Sequence, residues 1–73
     1  MQINEFVKKR RRSANLTQPE LAEKAGVGLR FVRELEQGKE TLRMDKVNQV
    51  LKLFGYQVGA VPVNRNIITD EKS

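Results

Sequence analysis

Residues 16–38 read LTQPELAEKAGVGLRFVRELEQG, and their punctuation decides the architecture. Thr17 precedes Glu20 by three residues, the spacing at which a hydroxyl accepts from the Glu20 amide while the carboxylate returns to the Thr17 amide. Leu16 and Leu21 take the two positions of a hydrophobic staple across that cap. Pro19 falls in the first turn, where its missing N–H would have had no partner anyway, so a helix is expected from about Gln18. Leu21, Ala22 and Ala25 make its inner face, and Glu20 and Lys24 form an i,i+4 pair on its outer one. Gly26 suits the left-handed conformation that closes the helix. Val27 plugs the turn, Gly28 is a weak N-cap, and a second helix is expected over about Leu29 to Gln37, with Gly38 as its stop.

At 100° per residue, Val32, Leu35 and, at the margin, Phe31 share one side of this second helix. Arg30, Arg33 and Gln37 share the other, flanked by Leu29 and Glu34. One face is core and the other is presented. Guanidinium forks pair bidentately with O6 and N7 of guanine in the DNA major groove, which is what a recognition helix after a tight turn requires. The stretch reads as a helix-turn-helix. A plainer reading, the solvated face of a small helical domain, leaves the agreement of capping box, turn and outward arginines unexplained.

At these residues the sequence resembles the Xre/Cro family of phage-repressor-like helix-turn-helix proteins, over about residues 5 to 55. The pattern that carries the resemblance is LTQ-x-ELA-x-KAGV, followed nine residues later by E-x-GK. It implies base readers at Leu29, Arg30, Arg33 and Glu34. It also implies that Gln18 touches the DNA backbone and buttresses the recognition helix. The full set expected along the DNA backbone is Lys9, Thr17, Gln18, Gln37, Lys39, Thr41 and Arg43. Leu29 departs from the polar residue usual at its position, which suggests an apolar contact such as a thymine methyl. Phe31 replaces a usual small hydroxyl residue and removes the phosphate contact that hydroxyl would supply.

Seventy-three residues make one domain, and a chain of this size buries only about 60% of the surface its unfolded form exposes. With no cysteine and no histidine it has neither a disulfide framework nor the usual zinc ligands, so oligomerisation is the expected source of added stability. A homodimer is expected. The net charge is +5 and the pI is near 10.0, so two copies carry twice that charge towards a polyanion. Double-stranded DNA fits better than a membrane, since no basic amphipathic helix with exposed Trp, Phe or Leu is apparent. No apolar run approaches a membrane span and no signal peptide is apparent, so a cytoplasmic, nucleoid-associated protein is expected.

Upstream, INEFVKKRRRSA (residues 3–14) places Ile3, Phe6, Val7 and Ala14 on one helical face, with Glu5 and Lys9 as an i,i+4 pair. The basic run from Lys8 to Arg12 invites a nuclear-localisation reading. Five consecutive charges on a helix point all round it, however, and a helix C-terminus favours cations, so a solvated or phosphate-facing helix end is expected. Spacing leaves both Arg10 and Arg11 open as partners for Glu36. The family resemblance maps that pair onto Arg11 and Glu36.

Downstream, residues 39–42 form a connector and Arg43 to Phe54 a fourth helix, with Met44, Val47, Val50, Leu51 and Phe54 at core spacing. Leu53 lies off that stripe, as half-exposed core or part of a dimer contact, and Gly55 stops the helix. YQVGAVPV (residues 56–63) is too broken by Gly59 and Pro62 for a helix, and reads as a short strand. A lone strand in a helical domain has no partner within its chain, so pairing with a second copy through Tyr56, Val58, Ala60, Val61 and Val63 is expected. The alternative is an irregular apolar tail folded back on the bundle. Residues 64–73 are polar apart from Ile67 and Ile68 and are expected to form a flexible tail.

The expected fold is all-α: a four-helix, phage-repressor-like helix-turn-helix domain (residues 1–55), a short C-terminal dimerisation β-strand (residues 56–63) and the tail (residues 64–73). The order of parts is similar to that of HipB-type antitoxins, which implies an autoregulating repressor with a HipA-type kinase toxin as a further partner. Rival readings are a stand-alone phage-type repressor and a basic protein-interaction module. The absence of His and Cys excludes Ser-His and Cys-His nucleophilic catalysis, and Gly26 and Gly28 follow no strand, so they form no nucleotide loop. No enzyme activity, cofactor or metal is expected.

Overall fold

A computed structural model describes residues 2–63. Four helices follow one another: α1 (Ile3–Ser13), α2 (Gln18–Ala25), α3 (Leu29–Glu36) and α4 (Met44–Leu53). The start of α2 is the predicted capping box: Thr17 Oγ1 accepts from the Glu20 amide at 3.2 Å, and Glu20 Oε1 accepts from the Thr17 amide at 2.8 Å.

All four helices end in the same way. The amide after the last turn reaches back five residues, as in Leu16 to Arg11, Val27 to Ala22, Lys39 to Glu34 and Tyr56 to Leu51, while the preceding amide reaches back three. These are Schellman motifs, and each needs a residue at positive φ. Gly26 supplies it after α2 at φ 75° and Gly38 after α3 at φ 87°. At Gly38 space is restrictive as well, because an added Cβ would lie 3.2 Å from Asn4 Nδ2. After α1 the residue is Asn15 at φ 60°, a side chain that tolerates this region better than most.

The core is small and every helix contributes to it. Val7 of α1, Leu21 and Ala22 of α2, Val32 and Leu35 of α3, and Val47, Val50 and Leu51 of α4 are buried. Phe6, Leu16, Ala25, Val27, Phe31 and Phe54 pack around them, half-buried. Three expected core positions are corrected, and the first is Ile3, which opens α1 and is exposed. Met44 is 63% exposed, because as the first residue of α4 it has no preceding turn to pack along, although its angle on the helix is right. Ala14 lies past the end of α1 and is exposed.

The expected strand over residues 56–63 is corrected too: among the described residues there is none. Within one chain an extended segment in an all-helical fold has no ladder to join, and the segment instead folds back on the bundle. Tyr56 packs edge-on against Phe6 with ring centroids 4.8 Å apart. Arg10 lies over both rings, at 5.9 Å and 5.6 Å. The Val58 amide donates to Asn48 Oδ1 at 2.7 Å. The expectations for residues 64–73 lie outside the described residues.

Among the described residues one charged residue is buried with the core, Glu36. Arg11 Nε donates to its Oε2 at 2.7 Å and Arg11 Nη2 to its Oε1 at 3.1 Å, so of the two candidates it is Arg11 that pairs. Gln18 Nε2 donates to the same Oε1 at 3.0 Å, and Arg11 Nη1 donates to the Leu16 carbonyl at 2.8 Å. Burial by itself would push the Glu36 carboxyl up. The hydrogen bonds from Arg11 and Gln18, with the charges of Arg11 and Lys8, outweigh it and hold the group below its ordinary value.

The native state therefore gives up this proton more readily than the unfolded chain does. The resulting stability is present above the ordinary glutamate pKa of about 4.3 and is lost as pH falls through the depressed native value. Arg11→Met should cost about 3 kcal/mol in urea unfolding at neutral pH, since it strands a buried carboxylate. Its deficit should shrink in acid, where the wild type loses the same contribution. A deficit that is constant with pH would contradict this account.

Candidate nucleic-acid interface

Helix α3 is held from one side only. Val32, Leu35 and Glu36 face inward, and the Glu36 clamp to α1 and α2 fixes the rotation of the helix about its axis. Arg30, Arg33 and Gln37 are consequently exposed. Arg30 is the most open, with 91% of its side chain accessible. Gly28 leads into the helix with no side-chain cap, and an added Cβ there would meet nothing within 4 Å, so the approach to the first turn is open.

The four residues expected to read bases are not equivalent. Arg33 takes no ion pair among the described residues and projects freely. The Arg30 guanidinium lies 3.4 Å from Glu34 Oε2, and the Lys39 ammonium lies 3.5 Å from the same oxygen. Glu34 is therefore shared between two cations, and its side chain is only 27% exposed. Leu29 is half-buried and packs against the core cluster, which leaves part of its side chain for an apolar contact.

The residues expected along the DNA backbone fall into three groups. Gln18 and Thr17 sit at the start of α2. One Gln18 Nε2 hydrogen is committed to Glu36, and the other remains to donate, since an amide nitrogen carries two. Thr17 accepts through its hydroxyl oxygen, which leaves the hydroxyl hydrogen for a phosphate. Both arrangements fit a phosphate acceptor.

Gln37, Lys39, Thr41 and Arg43 follow α3 and are exposed. Arg43 is engaged, with Nε to Asp45 Oδ1 at 3.1 Å and Nη2 to Asp45 Oδ2 at 2.6 Å. Those hydrogen bonds, with the Arg43 charge, hold the Asp45 carboxyl below its ordinary value against a smaller desolvation effect. Both partners are largely exposed, so the pair is worth little and can exchange for phosphate.

Lys9 is the third group, on α1. It lies beside Lys8 and Arg12, and the charge of Lys8 is felt at Glu36. The basic run of α1 passes the C-terminal end of α3, where Arg11 meets Glu36.

Sequence reasoning missed two positioning residues. Asn48 holds the Val58 amide, and Gln49 Nε2 reaches the carbonyls of Ala25 and Gly26 at 3.3 Å and 3.4 Å, bracing the turn between α2 and α3 from below. Neither has a local signal, because each pairs with an element more than nine residues away.

The family described as Helix-turn-helix matches residues 7–60, more than half of the chain. An uncharacterized HTH-type transcriptional regulator, y4mF of Sinorhizobium fredii, is 48% identical over 56 residues, covering 77% of this chain and 74% of the relative. The chain belongs to the helix-turn-helix family, and membership implies DNA binding. Among the described residues no helix is long and apolar enough to cross a membrane.

If Arg33 reads a base edge, Arg33→Ala should weaken cognate DNA by about 1–3 kcal/mol and relax preference at one base pair. Lys9→Ala should instead weaken all duplexes alike and reduce the salt slope by about one. Fluorescence anisotropy on cognate and scrambled duplexes separates the two. An equal loss on both for Arg33→Ala would contradict base reading.

Proposed function

We propose that this member of the helix-turn-helix family is a sequence-specific transcriptional repressor that binds, as a homodimer, an operator near its own coding sequence. The observation that carries the proposal is the orientation of α3: its inner face is clamped through Glu36, and Arg30, Arg33 and Gln37 are left open beside an uncapped first turn. Leu29, Arg30 and Arg33 are the proposed base-reading set, with Glu34 beside them. Lys9, Thr17, Gln18, Gln37, Lys39, Thr41 and Arg43 are the proposed phosphate contacts. The relative described as a transcriptional regulator supports the class of function. The proposed role calls for no catalysis, cofactor or metal.

Dimerisation rests on the end of α4 and the segment that follows it. Leu53, Tyr56, Val61 and Val63 are exposed apolar residues, and the amides of Gly59, Ala60, Val61 and Val63 find no acceptor among the described residues. A second copy satisfies both needs, by covering the apolar side chains and pairing with the backbone of residues 59–63. A more specialised form of the proposal is an autoregulating antitoxin with a HipA-type kinase toxin as partner. It is supported only by the order of parts, a helix-turn-helix followed by this apolar segment.

DNase I footprinting on the region upstream of the coding sequence should show two protected half-sites about one helical turn, ~34 Å, apart. Uniform, position-independent protection would favour a basic interaction module. Val61→Asp should convert the dimer to monomer in sedimentation velocity and abolish the paired footprint while the helices remain. A variant that stays dimeric would remove the segment from the interface.

A further inference from the structure

Glu34 stands among the residues expected to read bases, but its surroundings differ from those of the other three. The Schellman turn at Gly38 carries Lys39 back over the end of α3: the Lys39 amide donates to the Glu34 carbonyl at 3.1 Å, and its ammonium lies 3.5 Å from Glu34 Oε2. From the other side, one turn earlier on the helix, the Arg30 guanidinium lies 3.4 Å from that same oxygen. The result is a row of cation, carboxylate and cation along one flank of α3, with Arg33 standing apart from it.

A base-reading carboxylate must be presented, free, to the exocyclic amine of a cytosine. Glu34 is the least exposed member of the row, at 27% against 91% for Arg30 and 47% for Lys39. Its carboxylate is already shared. We infer that Glu34 is a specificity-determining counter-ion: it holds Arg30 and Lys39 together in the free protein and suppresses their attraction to arbitrary phosphates.

Exposed pairs of this kind are individually weak. A correctly placed major groove can therefore draw Arg30 away, whereas a diffuse phosphate field meets a flank of reduced charge. The carboxylate also repels any backbone brought close to it. Discrimination rises because non-cognate binding falls, and cognate contacts need not gain.

This inference rests on the DNA-binding reading, and its test keeps the two apart. Glu34→Gln keeps the shape and removes the charge, and helix content and melting temperature check that the domain still folds. Binding to an operator duplex and to a scrambled duplex is measured over a salt series, together with the salt concentration at which the protein elutes from heparin.

The expected result is scrambled DNA bound about 3- to 10-fold tighter, with a salt slope steeper by about one. The ratio of operator to scrambled affinity should be smaller, and elution from heparin later. Two results would overturn the inference. One is a tenfold or greater loss on the operator with altered preference at a single base pair, which makes Glu34 a base reader. The other is unchanged binding and elution, which means that the carboxylate restrains nothing. Wild-type protein that treats the two duplexes alike would contradict the repressor reading, while heparin elution would still decide the role of Glu34.

Discussion

The ion pair between Arg11 and Glu36 is the constraint on which the arrangement depends. It joins the last turn of α1 to the last residue of α3, and through Gln18 and the Leu16 carbonyl it also takes in the start of α2. Hydrophobic packing of Val32 and Leu35 already turns the arginine face of α3 outward, and the ion pair adds a directional hold at the end of the helix. A bidentate pair is directional, and a buried carboxylate that loses its partner costs far more than the pair is worth. The domain is thus held to one rotation of α3. That rotation decides which side chains meet the outside.

The ion pairs around α3 suggest a way for a basic protein to avoid indiscriminate binding. The chain carries net charge +5, yet on the flank of the proposed reading helix the cations Arg30 and Lys39 share the carboxylate of Glu34, and Arg43 beyond it holds Asp45. Arg33 is left as the open fork. Long-range attraction comes from the sum of charge, with the basic run on α1 as one concentrated source. On the proposed reading, close-range selectivity comes from which cations are already engaged.

Much of the fold was legible because its signals are local. Thr17 with Glu20, Pro19, Gly26 and Gly38 each satisfy a backbone requirement within a few residues, and the structure places every one of them as expected. Helical spacing recovered the inner face of α3. It failed at Met44, since an angle on a wheel says nothing about whether a neighbouring turn exists to pack against. Spacing also left Arg10 and Arg11 undecided: the two are adjacent on α1, and only the packed position of Glu36 distinguishes them. Arg10 instead lies over Phe6 and Tyr56. The shared carboxylate of Glu34, the Asn48 hold on Val58 and the Gln49 brace depend on how turns return the chain, so no local pattern announces them. The strand expected after Gly55 failed because alternation of residue types cannot show that Tyr56 and Val58 have partners on the bundle itself, in Phe6 and Asn48.

The central claim is that α3 reads base edges beyond attracting phosphates. Its most direct test is competition binding of the wild-type protein between a duplex from upstream of its own coding sequence and a scrambled duplex of equal length, at two salt concentrations. The account predicts a preference of about 10³ or more for the cognate duplex that survives at the higher salt, because base contacts release few counterions. Equal affinity for both duplexes, lost together as salt rises, would contradict it.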